Sequence, residues 1–290
     1  MAHPTRNPCG ACGGTTDGTL LAGAYTYDRC AACSTAVLSP LPAHDPATYY
    51  DAGYFTANRV GGYADYDADG AEHARNARDR LDRIAPHLDT DGVTPFLIDV
   101  GCASGYVLDE AVRRSWQATG IDVSAWARER ATAKGHHAAA TLAEAVAASD
   151  RRPDVVAFFQ VLEHLHDPYE QMAVAIEALA PRGLLVIETW DAASRVARLL
   201  GHRWQQVSPP SVTHLFTLDG LRRHLTARGV EVVSAGPTSK RVTAALVAGV
   251  VAQHVPGQAE RLRRLGRSRF GRLAVPYRLG DLVTLVARRP

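Results

Sequence analysis

The stretch LIDVGCASGYVL, which begins at Leu97, limits the possible folds of this chain more than any other part of the sequence. An apolar run ends at the acid Asp99, and three small residues, Gly101, Ala103 and Gly105, follow within a few positions. A short uninterrupted apolar run is typical of a strand that is buried on both faces of a parallel sheet. Small residues directly after it allow a tight turn and a close approach of a ligand to the backbone. The stretch therefore predicts a buried strand, a ligand-binding turn and the start of a helix.

Strand-like and helix-like segments alternate on both sides of this stretch. Apolar residues recur at helical spacing over residues 71–88, and QATGIDVS, DVVAFFQVLEH and GLLVIETW are further strand-like runs with helical patterns between them. Such alternation is typical of a doubly wound α/β fold with a mostly parallel sheet. With 290 residues and 46% apolar content, the chain can form one large domain plus a small module. We therefore predict a Rossmann-like α/β domain.

A second acid, Asp122, ends the next predicted strand, seventeen residues after Gly105. An acid at this place accepts hydrogen bonds from the ribose hydroxyls of a nucleoside. The turn has the spacing G-x-x-x-G, whereas a pyrophosphate-binding turn has G-x-G-x-x-G, and Asp99 would repel a diphosphate. The same acid would attract an ammonium or a sulfonium group. The two acids therefore favour S-adenosylmethionine over a dinucleotide.

Four of the five cysteines form two C-x-x-C pairs near the N-terminus: Cys9 and Cys12, then Cys30 and Cys33. Two such turns supply the four thiolates of a tetrahedral zinc site, and a site filled by four protein ligands is structural. Two disulfides or four unrelated thiols are the alternatives. The N-terminus lacks the apolar core of a signal peptide, so we expect a cytoplasmic protein with reduced thiols. This expectation favours zinc.

A proline-containing linker over residues 39–47 and an aromatic segment separate the cysteine pairs from the main domain. The aromatic residues of this segment are Tyr49, Tyr50, Tyr54, Phe55, Tyr63 and Tyr66. They either pack the N-terminal module onto the main domain or cover a site as a lid. We expect a zinc-ribbon module over residues 1–45, a lid segment and leading helix over 46–92, and a cofactor-binding domain over 93–290 with a helical insertion near 243–272.

Together these motifs resemble those of the class I S-adenosylmethionine-dependent methyltransferases, specifically the members that carry an N-terminal four-cysteine zinc ribbon. The resemblance covers nearly the whole chain and rests on the cysteine pairs and on YYDAGYF, LIDVGCASG, TGIDVS, VLEHLHDP and HLFTLDGLRRHLTARG. Ala103 departs from the pattern, since many members have glycine there. The acid that often lies near adenine after the third strand has no clear equivalent, and Thr141, Leu142 and Glu144 are the candidates.

The resemblance implies a set of cofactor-binding residues in three loops. It places the glycine turn after Asp99, and the residues that follow the fourth strand, around the methionine part of S-adenosylmethionine. It places Asp122 at the ribose. It also implies an antiparallel pair of strands near the C-terminus, from EVVSAGPTS and YRLGDLVTLVARR. The residues implied to bind the cofactor are Asp99, Gly101, Ala103, Gly105, Asp122, Val123, Gln160, Val161 and Glu163.

Methyl transfer requires alignment of donor and acceptor, and a base where the acceptor carries a proton. Histidine has a suitable pKa for such a base. We expect His214 or His164 to have this role, with His166 and Asp191 as further candidates near the strand ends. His214 lies in a segment that covers the substrate in related enzymes. Cys102 is expected to fill space inside the glycine turn.

Zinc-ribbon members of the family act on sugar nucleotides and natural-product intermediates. The first functional hypothesis is therefore methyl transfer to an oxygen or carbon of such a small molecule, in secondary metabolism. The alternatives are an RNA base methyltransferase that uses the ribbon and the basic run Arg261 to Arg272, and a non-catalytic scaffold that binds proteins. The net charge of +2 and the scarcity of basic residues around the cysteines argue against a nucleic-acid partner. The sequence predicts no membrane span and leaves monomer or homodimer open.

Overall fold

The computed structural model describes residues 8–57, 62–63, 65–89, 92–258, 260–261, 264 and 268–290. The strands are β1 (Thr16–Ala22), β2 (Tyr25–Cys30), β3 (Ala36–Ser39), β4 (Phe96–Val100), β5 (Gln117–Ile121), β6 (His137–Ala139), β7 (Val155–Phe159), β8 (Leu184–Trp190), β9 (His214–Leu215), β10 (Glu231–Pro237), β11 (Lys240–Thr243), β12 (Ala274–Tyr277) and β13 (Leu282–Arg288). The α-helices are α1 (Pro46–Tyr49), α2 (Ala52–Thr56), α3 (Gly70–Ile84), α4 (Tyr106–Arg113), α5 (Ala125–Ala133), α6 (Leu142–Ala147), α7 (Pro168–Ala178), α8 (Arg195–Leu200), α9 (Leu218–Thr226) and α10 (Ala244–His254).

The main sheet has the strand order β10-β13-β8-β7-β4-β5-β6. The five strands from β8 to β6 are parallel, and β13 is antiparallel to both of its neighbours, β8 and β10. The predicted α/β fold and the predicted antiparallel strands near the C-terminus are therefore confirmed.

Helices cover both faces of the main sheet and bury its apolar side chains. On one face, Leu81 and Ile84 of α3 pack against Leu97 and Val186 of the strands. On the other face, the apolar side chains of α7 and α9 pack against the same strands. Because β7 and β8 are buried at every position, their sequences are continuous apolar runs with few polar exceptions. This rigid layer fixes the positions of the turns that follow each strand.

The N-terminal module has its own antiparallel sheet, in the order β1-β2-β3-β9. The fourth strand, β9, comes from the main domain, and it pairs with β3 through His214 and Leu215. The fully buried Tyr27 also donates a hydrogen bond from its hydroxyl to the carbonyl of Val212 (2.6 Å). The module is thus joined to the main domain by a shared sheet.

The segment between β10 and β13 adds a small hairpin and a helix to the fold. Strands β11 and β12 pair with each other, and α10 lies between them in the chain. The helix lies within the range 243–272 where we expect a helical insertion, and several residues after 258 lie outside the described part of the chain. In the described residues no helix is long and apolar enough to span a bilayer.

Candidate active site

A cavity of about 580 Å³ lies at the carboxyl ends of β4, β5 and β7. The turns after these strands form its floor, the aromatic segment covers it, and α3 and β11 close one side. Ligands bind at this edge in doubly wound sheets, because the turns there are free to vary while the strands hold them in place. The cavity is therefore the candidate active site.

The glycine turn after β4 is shaped by positions that a larger residue would disturb. Gly101 has a φ of +76°, and a Cβ atom there would lie 2.3 Å from Cγ2 of Val161. Its amide donates to the carbonyl of Ile121 (2.7 Å), which folds the turn against the end of β5. Ala103 and Gln160 line the cavity with φ of +47° and +60°, values that non-glycine residues adopt at a cost.

Asp122 connects the first two turns of the cavity floor. Its Oδ2 atom accepts a hydrogen bond from the amide of Ala103 (3.0 Å), and its Oδ1 atom accepts one from the amide of Ser124 (2.9 Å). Burial raises the pKa of Asp122, although both amides favour the charged form. Each carboxylate oxygen has a second lone pair for a ligand hydroxyl.

Asp99 is the fourth of the five residues of β4, borders the cavity and is 3% exposed. Burial raises the pKa of Asp99 to about 7, and the nearby Arg80 opposes this rise. A cationic ligand group beside Asp99 would favour the ionised carboxylate.

Four polar side chains form a connected network on the opposite side of the cavity. Arg80 of α3 donates from Nε and Nη2 to Oε1 of the buried Glu188 (3.0 and 2.5 Å). The side-chain Nε2 of Gln160 donates to the same Glu188 oxygen (2.9 Å). Nζ of Lys240 in turn donates to Oε1 of Gln160 (2.6 Å). Burial raises the pKa of Glu188, but Arg80 outweighs it, so the net pKa is lowered and Glu188 stays ionised.

The aromatic segment contributes rings to the cavity wall. Tyr50, Tyr54 and Phe55 line the cavity, and Phe55 also stacks on Trp126 of α5 with ring centroids 4.5 Å apart. The aromatic segment thus packs on the main domain and also borders the cavity. Packing and covering of a site, the two roles that the sequence suggested for this segment, involve the same residues.

His164 is the predicted base that the structure places at the cavity. Its Nδ1 atom lies 2.7 Å from the carbonyl oxygen of Ser211, to which it donates. This bond fixes the tautomer, and it leaves Nε2 as the nitrogen that can accept a proton.

His214 lies outside the cavity, and this corrects our expectation that it is a base. It belongs to β9, is 4% exposed, and stacks on Phe216. Its Nδ1 atom lies 3.0 Å from Oγ1 of Thr213, and burial lowers its pKa to about 4. Asp191 is also absent from the cavity wall and accepts amide hydrogen bonds from Ala193 and Leu218.

The remaining predicted residues divide between the cavity wall and its support. The cavity-lining set is Asp99, Gly101, Ala103, Asp122, Val123, Gln160, Val161, Thr141, Leu142 and His166. Glu163 is buried behind the wall, where Oε2 accepts from the hydroxyl of Thr189 (2.9 Å). Gly105 is the N-cap residue of α4, and the Glu144 carboxylate accepts a hydrogen bond from the amide of Ala140. Glu163 and Gly105, for which we expect cofactor contact, are thus not among the residues that line the cavity.

The cysteine pairs converge on one point in the N-terminal module. The four Sγ atoms lie within 4.8 Å of one another, with Cys9 and Cys33 3.7 Å apart and Cys12 and Cys30 3.5 Å apart. Zinc–sulfur bonds of about 2.3 Å in a tetrahedron place sulfurs about 3.8 Å apart. The four thiolates therefore have the spacing and chemistry of a structural zinc site.

The sequence reasoning missed the polar wall that α3 and β11 contribute. Asp69, Glu72, His73, Asn76 and Arg80 all border the cavity, at spacings of one, three and four residues. This spacing is a helical stripe, and it could have indicated a polar face directed toward a site. Lys240 comes from the distant β11, so no local pattern indicated it.

A family model described as a methyltransferase domain matches residues 70–235, which is more than half of the chain. The chain belongs to this methyltransferase family. The prediction of a methyltransferase is thereby confirmed, and the matched residues include the turns after β4, β5 and β7.

Curated relatives of this methyltransferase include ubiquinone biosynthesis O-methyltransferases. The protein from Cereibacter sphaeroides is 30% identical over 148 residues, which cover 46% of this chain and 59% of the relative. The protein from a Caulobacter species is 30% identical over 163 residues, which cover 50% of this chain and 64% of the relative. The chain thus spans about three fifths of the length of the relatives it matches.

Solved structures share the fold of this methyltransferase. An S-adenosylmethionine-dependent methyltransferase from Archaeoglobus fulgidus has a TM-score of 0.50 and 17% identity, and covers 74% of this chain and 94% of its own. A Bacillus halodurans protein solved as a methyltransferase has a TM-score of 0.52 and 14% identity. The match covers 74% of this chain and 99% of the Bacillus chain.

Proposed function

We propose that this methyltransferase transfers the methyl group of S-adenosylmethionine to an oxygen or carbon of a small molecule, such as a natural-product or sugar intermediate. The observation that carries the proposal is the pair of buried acids, Asp99 and Asp122, on either side of the glycine turn at the cavity floor. Family membership favours an enzyme over a non-catalytic scaffold.

On the donor side, each part of S-adenosylmethionine has a fitting group in the cavity. Asp122 is suited to the ribose hydroxyls, and Asp99 is suited to the ammonium group of the methionine part. Arg80 supplies a positive charge for its carboxylate, and Thr141 and Leu142 border the place where adenine would lie. The donor supplies an activated methyl group, and the chain's residues bind it, orient it and exclude water.

On the acceptor side, the cavity favours a small molecule with both apolar and hydrogen-bonding parts. The aromatic segment offers ring faces, and α3 offers His73 and Asn76. A cavity of about 580 Å³ is in the usual range of small-molecule sites. The relatives named as O-methyltransferases support an acceptor hydroxyl. His164 is proposed to contact the acceptor through Nε2.

Calorimetric titration with S-adenosylhomocysteine tests the donor side of the proposal. We expect Asp122→Ala to weaken binding by about 1–3 kcal/mol, because a buried hydrogen-bond acceptor for the ligand is lost. Asp150→Ala is the matched control, since Asp150 is exposed and does not line the cavity. Equal affinities of Asp122→Ala and the unchanged chain would remove Asp122 from the site. Transfer of labelled methyl groups to candidate intermediates would then identify the acceptor.

A further inference from the structure

Lysine is rare in this chain, and one of its lysines borders the cavity. Of the 32 basic residues only Lys134 and Lys240 are lysines, and the others are all arginines. An arginine side chain keeps its proton in proteins, whereas a lysine side chain can lose it when its surroundings disfavour the charge. A lysine at the cavity wall, in a chain that otherwise uses arginine, therefore supplies a group that can change its protonation state.

The surrounding structure holds Lys240 beside the expected position of the transferred methyl group. Its neighbour Arg241 exchanges two backbone hydrogen bonds with the side chain of Asn76 on α3 (2.7 and 2.8 Å), which fixes β11 against the cavity. Nζ of Lys240 donates to Oε1 of Gln160 (2.6 Å), and Gln160 directly follows β7. Gln160 is among the residues that we propose to lie near the methionine part of the donor.

Nζ of Lys240 has no directly paired anion. Among the described residues no carboxylate oxygen lies within 4.0 Å of it, and it lies over the ring of Trp190, 4.7 Å from the centroid. Glu188 is already occupied by Arg80 and Gln160. An ammonium in this position thus has an amide oxygen and a ring face beside it but no directly paired carboxylate, and the sulfonium of the donor would destabilise it.

We propose that Lys240, as a neutral amine, is the base that takes the proton of the acceptor hydroxyl. This inference rests on the proposed function. In the transfer step the acceptor oxygen, or the carbon conjugated with it in an enol, forms a bond to the methyl carbon. The carbon–sulfur bond breaks and its electron pair stays on sulfur, while the hydroxyl proton moves to Nζ. Lys240 then releases this proton to water and is neutral again.

The charges around Lys240 agree with this role. Burial in the cavity wall lowers the pKa of Lys240 to about 8, with Glu188 opposing the change and Arg80 contributing to it. Such an amine exchanges protons readily with a hydroxyl of pKa about 10. The acceptor class that fits is therefore a phenol or an enol. The titratable and charged groups that act on Lys240 are Arg80 and His73 from α3, Glu188 from β8, Glu163 after β7 and Asp281 before β13.

The presence of only two lysines allows a direct test by NMR. In the full chain grown with ¹³C-labelled lysine, the ε-carbons give two signals, and Lys240→Arg assigns them. We expect a midpoint near pH 8 for Lys240. The signal of Lys134, which is paired with Asp109 (2.9 Å), is the second signal in the spectrum. With S-adenosylmethionine bound, the Lys240 midpoint should lie about one unit lower than with S-adenosylhomocysteine, because only the former carries the sulfonium charge.

Binding measurements provide the matching thermodynamic readout. Linkage requires that the affinity for S-adenosylmethionine, relative to S-adenosylhomocysteine, rise about tenfold as Lys240 loses its proton between about pH 7 and 9. Lys240→Met should abolish this rise, and His164→Asn, the control that removes the other candidate base, should retain it. A Lys240 midpoint above 10, equal midpoints with both ligands, or a rise that disappears only in His164→Asn would overturn the proposal. If neither ligand binds, the proposed function fails, whatever the midpoint of Lys240.

Discussion

At the scale of single residues, the site is defined by buried acids that are costly without a ligand. Asp99 and Asp122 are both nearly inaccessible to solvent, and burial raises the pKa of each. Burying a carboxylate without a full set of partners destabilises a fold, so such groups cluster where a ligand supplies the missing partner. Backbone amides satisfy part of Asp122, whereas the charge of nearby Arg80 favours the ionised form of Asp99, and we propose that the ligand's ammonium does the same.

The raised pKa of Asp99 predicts proton-coupled binding. Its folded value is about 7 and its ordinary value is 3.8, so between these pH values the folded chain holds a proton that the unfolded chain has released. The contribution of Asp99 to stability is therefore complete below pH 4 and is lost as the pH rises through 7. The ammonium of S-adenosylhomocysteine should favour the ionised form of Asp99, so the affinity for this ligand should increase from pH 6 to 8. At pH 6, binding of the ligand should release a proton from Asp99.

Calorimetry in buffers of different ionisation enthalpy measures the released proton. Asp99→Asn should bind more weakly and lose most of the pH dependence in this range. A proton release that is the same in Asp99→Asn would assign the coupling to another group.

Gly101 allows a prediction that separates backbone strain from steric overlap. A Cβ atom at Gly101 would overlap Val161, whereas Gly135 has a similar positive φ with open space around it. Both alanine variants pay about 1 kcal/mol or more for the left-handed backbone. Gly101→Ala should in addition displace Val161 and weaken S-adenosylhomocysteine binding by tenfold or more, while Gly135→Ala keeps the affinity of the unchanged chain. Equal affinities of the two variants would show that the turn tolerates a side chain.

At the scale of elements, the N-terminal module is held to the main domain by β9. Thr217 at the start of α9 donates from its hydroxyl to the carbonyl of Cys33 (2.6 Å), and His224 lies 3.0 Å from the carbonyl of Gly10. Thr213, beside β9, donates from its amide to the carbonyl of Glu163 (2.8 Å). Hydrogen bonds thus connect the cysteine turns to α9, and the residue beside β9 to the turn that carries His164.

Removal of zinc should therefore lower the melting temperature more than it lowers donor affinity. A structural zinc site supplies folding free energy to a module with a small apolar core. Since the donor-side acids lie on β4 and after β5, they should hold S-adenosylhomocysteine after chelation. Melting curves and titrations before and after chelation, with the zinc content measured, test this expectation. An unchanged melting temperature after complete zinc loss would show that the module folds without metal; simultaneous loss of binding would make it part of the pocket.

At the scale of the whole molecule, the parts of the site differ in how far the sequence could predict them. The donor side consists of short motifs, in which Asp99 and Gly101 are two residues apart and Asp122 ends the next strand, so local patterns were sufficient. The polar wall combines Arg80 of α3 with Lys240 of β11, residues that only the folded chain brings together. His214 was assigned wrongly because its pairing with Val37 of β3 is a long-range contact.

The most direct test of the central claim, that the two buried acids hold an adenosyl donor at the glycine turn, is a paired titration of the purified chain at pH 8 with S-adenosylhomocysteine and with NAD. We expect saturable binding of S-adenosylhomocysteine that Asp99→Asn and Asp122→Ala both weaken, and no binding of NAD, whose diphosphate Asp99 repels. Binding of NAD in preference to S-adenosylhomocysteine, or no effect of either substitution, would contradict the claim.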